Sequence, residues 1–241
     1  MLNQFSRTEL IFGKDGMEKL RNAQVAVFGI GGVGGYTVEA LARSGVGTLD
    51  LFDNDKVSLT NINRQIYATR KTVGRYKVDV AKERIQDINP DAVVNAHKIF
   101  FIPATSQEVD FSQYDYIVDA IDTLSGKIEL VLKAKECDVP IISSMGAGNK
   151  TDPTRFEVAD IYDTMICPLA RAMRRELRKR GIDRLKAVYS KEPVITPVQT
   201  KDDETERETT QKRQIPGSVS FVPPVAGLII AGEVIKDLIG R

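Results

Sequence analysis

The residues best suited to chemistry form an ordered series along the chain. Gly29-Ile30-Gly31-Gly32-Val33-Gly34 follows an apolar run and opens a segment of helical period. Glycine removes the Cβ from a tight turn, so backbone N–H groups and the positive end of the helix can approach phosphate oxygens. Asp53 stands at the end of the second apolar run, where a carboxylate accepts hydrogen bonds from ribose hydroxyls. A glycine turn that merely packs on a sheet would read the same way. With its strand-turn-helix context and Asp53, the turn reads as a nucleotide site.

A dinucleotide's two phosphates are largely satisfied by loop amides, whereas a triphosphate adds charge that needs Lys, Arg or a metal. Asn61-Ile62-Asn63-Arg64-Gln65 supplies amides and a guanidinium fork that can clamp a phosphate bidentately. Lys77 falls in the first turn of the next helical segment, where a cation opposes the macrodipole. Either it is simply solvated, as Arg75 would be, or it meets an anion. Tyr116-Ile117-Val118-Asp119-Ala120-Ile121-Asp122 ends a buried run with a carboxylate at the edge where such sheets bind ligands. Asp122 there suits Mg²⁺ bridging phosphates, an ion that takes few protein carboxylates; otherwise it caps the following helix, with Thr123 and Ser125 as competitors. Asp119 reads as a structural hydrogen-bonding group.

The elements that must position these groups alternate between two periods. Strands are expected over 24–28, 48–52, 92–96, 114–121 and 139–144, and helices over 33–44, 75–89 and 125–136. Such alternation predicts an α/β fold, a Rossmann-like, doubly wound, mostly parallel sheet with helices on both faces. Beyond Ser144 the pattern loosens into a loop, a strand near Phe156 and Val158, and a helix from Pro168 to Arg180. The stretch 199–214 is nearly all polar and reads as a mobile surface loop. Ser218 to Val222 resumes a strand pattern that Pro223-Pro224 breaks, and the last apolar segment reads as a packed terminal helix.

The helix after Pro168 places Arg171, Arg174, Arg175 and Arg178 at i, i+3, i+4 and i+7 on one face, with Ala170, Met173 and Leu177 turned inward. Four guanidinium groups on one face repel unless an anion lies opposite, which suggests an RNA backbone. The alternative is a solvated face partly paired with acids such as Glu176.

With 241 residues and 42% hydrophobic content the chain suits one main domain: a nucleotide-binding core over about 20–150 and a substrate-facing part over 151–241. Its 34 Lys and Arg nearly cancel 33 Asp and Glu, so a nucleic-acid contact must come from local clustering. Cys137 and Cys167 fit no disulfide framework and no CxxC pattern, and both read as packing residues in a reducing compartment. His97, the only histidine, reads as structural or exposed. No signal-peptide core and no membrane-length apolar run appears, so a cytoplasmic location with no membrane contact is expected.

The ordered set Gly29, Gly31, Gly32, Gly34, Asp53, Asn61 through Gln65, Lys77 and Asp122 resembles the ubiquitin-activating-type adenylating enzymes of the ThiF group. Within them, the stretch from Ile142 to Phe156, with Asp160, Pro168-Leu169-Ala170-Arg171 and Phe221 to Gly227, resembles the tRNA threonylcarbamoyladenosine dehydratases. The resemblance spans nearly the whole chain and fades only in the charged loop.

It implies a Rossmann-like homodimer in which Asp53 holds ribose, Asn61, Arg64 and Lys77 meet the phosphates, Gln65 is a further nucleotide-binding residue, and Asp122 binds Mg²⁺. ATP would then adenylate the carboxylate of a threonylcarbamoyl group on tRNA, and intramolecular attack would expel AMP. Arg64, Lys77 and Asp122 are the catalytic candidates, and Arg7 is the candidate that reaches a neighbouring subunit's triphosphate. The tRNA-facing set is Arg171, Arg174, Arg175, Arg178 and Lys150, with no DNA partner expected and a sulfur-relay protein left open. Competing readings are an adenylyltransferase for a sulfur-carrier protein, an NAD-dependent dehydrogenase, and a non-catalytic RNA-binding module. The first often carries paired CxxC zinc ligands that two isolated cysteines cannot make, and the second leaves Arg64, Lys77 and Asp122 without a shared purpose.

Overall fold

Three apolar runs, Gln24–Phe28 (β1), Thr48–Phe52 (β2) and Tyr116–Asp119 (β4), are buried on both faces and therefore sit at the centre of a sheet. The computed structural model describes residues 2–198 and 216–241. Its sheet has seven strands in the order β3-β2-β1-β4-β5-β7-β6, where β3 is Val93–His97, β5 Ile141–Ser144, β6 Phe156–Asp160 and β7 Lys186–Ser190. All neighbours are parallel except β6, which runs antiparallel to β7 at one edge. Phe28 is level with Phe52 on one side and with Asp119 on the other, so the three central strands end together.

Alternation along β1 sends Val25 and Val27 to one face and Ala26 and Phe28 to the other. The first face packs against α2 (Gly34–Ser44), α3 (Lys77–Ile88) and α6 (Pro223–Ile239). The second packs against α4 (Leu124–Glu136) and the segment around Phe101 and Phe111, with Phe28 stacked on Phe52 at 4.2 Å. Helix α5 (Pro168–Lys179) covers α4 and β7 through Ala170, Met173 and Leu177, as its period predicts. The doubly wound sheet expected from the sequence is what forms, and its chain reversal between β2-β1 and β4-β5 leaves a crevice at the strand ends.

Several local expectations are corrected. α3 starts at Lys77 and leaves Arg75 outside it, and the fourth strand is only Tyr116–Asp119. Residues 218–222 form no strand: they are loop and turn, and Pro223 and Pro224 open α6, where their missing N–H groups are not needed. Strand β7 and an N-terminal helix α1 (Ser6–Asn22), broken at Gly13, have no counterpart in the sequence reading. The charged stretch 199–214 lies outside the described residues. No helix among them is long and apolar enough to cross a membrane.

Candidate functional site

The glycine turn leaves β1 at the head of the crevice. Gly29 has φ +88°, and an added Cβ would lie 2.7 Å from the carbonyl oxygen of Ala120, just past β4. At Gly34 the same addition would lie 1.8 Å from the carbonyl oxygen of Gly29. Both positions are closed to any side chain, so the turn is forced tight against β4 and against itself. The amides of the loop and the start of α2 are thereby brought to one point.

Asp53 is tied to that turn. Its carboxylate accepts the amide N–H of Ile30 at 2.7 Å and that of Asp55 at 2.8 Å. The ammonium of Lys77 lies 3.7 Å from Asp53 and 2.6 Å from Asp55. Burial raises the Asp53 carboxyl above its ordinary value, against the opposing pull of Lys77 and the two amides.

Lys77 is 5% exposed, which removes the solvated reading; Arg75, by contrast, is outside the helix and pairs with Glu83 on the surface. Its anions are the carboxylates of Asp53 and Asp55, which lie against a helix start that is otherwise unfavourable for a cation. The sequence reading missed Asp55, although its place two residues beyond Asp53 was a signal.

Arg64 and Gln65 pack beside the turn from the other side. A Cβ on Gly32 would sit 3.5 Å from Cγ of Arg64, and one on Gly31 would sit 3.9 Å from Nε2 of Gln65. Arg64 donates from one nitrogen, Nη1, to the Thr60 carbonyl and to Oδ1 of Asn63, both at 2.9 Å. Burial draws its guanidinium below the ordinary value. Asn61 accepts the Ser58 amide at 3.2 Å and so shapes the short turn that presents Arg64. Asn63 donates to the Ser218 carbonyl at 2.9 Å, a link to the C-terminal part that no local pattern announces.

Asp122 lies between β4 and α4, in the wall of a cavity of about 350 Å³ that also includes Val33 at the end of the glycine turn. Thr123 holds the N-cap position of α4 without capping it through its side chain. Asp119 is fully buried and binds Lys127 through both oxygens at 3.0 Å, with Ser143 as a further donor, in keeping with a structural role. The sequence reading did not include Lys127, whose buried ammonium also donates to the Ser144 carbonyl at 2.7 Å. Glycine turn, Asp53, Lys77, Arg64 and Asp122 thus surround one end of the sheet.

The remaining candidates are spread out. Arg7 is exposed in the first turn of α1, a helix anchored to the end of α6 by Lys19 and the Ile239 carbonyl. Arg171, Arg175 and Arg178 are exposed on α5; Arg175 pairs with Glu176, and Arg178 lies 5.0 Å over the ring of Tyr162. Arg174 is turned aside and donates to the Thr164 carbonyl at 2.9 Å. Lys150 does not join that outer face: it is 3% exposed and lines the cavity with Asp122. Cys167 is buried against α5 and Cys137 sits at the end of α4, both unpaired. His97 stacks on Phe52 and meets Asp50 at 2.8 Å, a structural placement.

Relatives agree with this architecture along the whole chain. The tRNA threonylcarbamoyladenosine dehydratase of Bacillus subtilis is 47% identical over 243 residues, covering 99% of this chain and 96% of that protein. That of Escherichia coli is 36% identical over 205 residues, covering 80% and 75%. The crystal structure of E. coli tRNA N6-threonylcarbamoyladenosine dehydratase in complex with ATP matches with a TM-score of 0.85 at 30% identity, over 98% of this chain and 94% of that one. Its complex with AMP matches at 0.88 over the same shares. The ThiF family model matches residues 5–241, and with these matches over the same fold the chain belongs to the ThiF family.

Proposed function

We propose that this chain is an ATP-dependent enzyme that dehydrates threonylcarbamoyladenosine in tRNA by adenylating its carboxylate, after which the group cyclises and AMP leaves. The observation that carries the reading is the meeting of the glycine turn, Asp53, Lys77, Arg64 and Asp122 at one sheet end. It occurs in a chain 47% identical, end to end, to a protein named for that reaction. The chain works as one adenylating unit, with a nucleotide core and a tRNA-facing C-terminal part.

In this reading Asp53 accepts the ribose hydroxyls, while the loop amides and the helix start bind phosphate. Arg64 has a guanidinium edge beyond the two bonds from Nη1, and Lys77 exchanges its carboxylate partners for phosphate oxygens. Both then stabilise charge that grows as pyrophosphate departs. No group of three or more His, Cys, Asp or Glu among the described residues could hold a metal. A single carboxylate, here Asp122, is enough for Mg²⁺, an ion that takes few protein carboxylates and completes its shell with phosphate oxygens and water. Bound there, the ion would neutralise phosphate charge. The enzyme acts in the cytoplasm as a homodimer in which Arg7 approaches the neighbouring site, and the exposed arginines of α5 bear on the tRNA backbone.

Mass analysis of nucleosides from tRNA incubated with the purified protein, ATP and Mg²⁺ tests the reading. Loss of one water from threonylcarbamoyladenosine is expected, and Asp122→Ala should abolish it while AMP still binds. An unchanged nucleoside, together with adenylation of a sulfur-carrier protein's C-terminus, would instead assign the ATP site to that other carboxylate.

A further inference from the structure

The cavity beside Asp122 contains a cation that the nucleotide site does not use. Its walls are largely apolar, from Val33, Met145, Leu169 and Val194, yet Lys150, at 3% exposure, is part of the lining. Among the described residues the Lys150 ammonium has one hydrogen-bond partner, the Glu192 carbonyl at 2.5 Å, and no salt bridge within 4 Å, while Cys167 and the Glu192 carboxylate attract it from farther off. The nearby Glu192 carboxylate is engaged elsewhere: it accepts the amides of Thr151 and Asp152, both at 2.9 Å, and the Thr151 hydroxyl at 3.1 Å. Burial pulls Lys150 below the ordinary lysine value against the attraction of Cys167 and Glu192, and an anion arriving beside it would offset part of that burial cost.

A second, independent feature carries the same sign. Helix α5 begins at this cavity with Cys167 at the N-cap position, Pro168 next and Leu169 in the wall. No side chain caps it, Pro168 has no N–H, and the following amides and the macrodipole therefore present positive potential to the cavity. The backbone around Lys150 is also held: Asn149, at φ 57°, receives the Ile195 amide on its carbonyl and donates its own amide to the Gly217 carbonyl. The ammonium is thus fixed in place beside an apolar space, with Asp122 in the same wall.

We propose that Lys150, with the opening turn of α5, binds the carboxylate of the acyl group to be activated and then stabilises the oxygen of that same carbon. The proposal rests on the adenylation reading above. In the first step one carboxylate oxygen attacks the α-phosphorus, and the bond to pyrophosphate breaks with its electron pair leaving on pyrophosphate. Lys150 holds the other oxygen. In the second step an atom of the urea group attacks the acyl carbon, the bond to AMP breaks, and a urea N–H proton passes to solvent. The oxygen on Lys150 carries the negative charge that develops between bond formation and departure of AMP. No water is consumed, since the lost oxygen leaves on AMP.

Lys150→Met keeps the length and removes the charge, and it also takes the donor from the Glu192 carbonyl, so Tm and ATP affinity serve as the checks on folding. Expected are an ATP Kd within about threefold of wild type and a cyclisation rate about 100-fold lower, in single turnovers on tRNA carrying threonylcarbamoyladenosine. The wild-type preference for that tRNA over the same tRNA with plain adenosine should also vanish, which a packing role would not cause. Lys150→Arg, which retains the charge, should recover part of both.

Turnover by Lys150→Met within about threefold of wild type, or an undiminished preference for the modified tRNA, would overturn the proposal alone. Wild-type protein that leaves the nucleoside intact would overturn the adenylation reading and this proposal with it.

Discussion

The carboxylate of Asp53 accepts the amide of Ile30 at 2.7 Å, so the end of β2 directly holds the residue that follows Gly29. The same carboxylate is the ribose acceptor in the proposed function, and structure and binding therefore share one charge. Because burial raises its pKa, Asp53 takes up a proton at a higher pH than an exposed aspartate. Relative to the unfolded chain the fold favours the neutral form, so this group's contribution to stability is present at low pH and lost as pH rises through its folded value. Binding has the opposite sign: hydroxyl acceptance needs the anion, so affinity weakens as pH falls into that range. Calorimetry with adenosine, which has no titrating phosphate, should show this loss in wild type. Asp53→Asn should bind about tenfold more weakly at neutral pH and lack that acid-side dependence. Identical pH profiles for the two proteins would refute the assignment.

Gly34→Ala should cripple the nucleotide site, because the added Cβ would sit 1.8 Å from the Gly29 carbonyl oxygen. The turn can only open, at a cost of about 1–3 kcal/mol and several degrees in Tm. ATP should then give no thermal shift. Gly232→Ala, within α6 and with nothing inside 4 Å of its new methyl, is the control. Its Tm should be unchanged or higher, since alanine favours a helix interior by up to about 1 kcal/mol.

Lys127 and Asp119, both 0% exposed, form an ion pair that links β4, α4 and β5 behind the crevice. Lys127→Met leaves the aspartate charge buried and should cost about 3–5 kcal/mol in urea unfolding. Adding Asp119→Val removes that orphan charge, so the double variant should be more stable than Lys127→Met alone. Simple addition of two losses would show that the pair is not electrostatically coupled.

The arginines of α5 should divide by their contacts. Arg171→Ala and Arg175→Ala, both at exposed positions, should weaken tRNA binding and each flatten the dependence of log K on log salt by about one unit or slightly less. Arg174→Ala instead takes a donor from the Thr164 carbonyl and should lower Tm with little effect on the salt slope. Fluorescence anisotropy over a salt series separates the two outcomes.

Features set by near neighbours were legible in the chain alone: the glycine turn, the buried central strands, the inward face of α5 and the order of the nucleotide residues. Period and spacing encode these within a few residues, so β1 and β2 begin and end where the pattern predicts. The antiparallel β6 and the place of β7 beside β5 are set by pairings between segments far apart in sequence, and residues 218–222 are loop and turn leading into α6. Side-chain partners were decided later still. Lys77 gained Asp55, Asn63 reached Ser218, and Lys150 left the outer surface for an apolar cavity. Whether a cation is solvated, paired or held for an anion depends on groups far away in sequence, because burial and Coulomb attraction act through space.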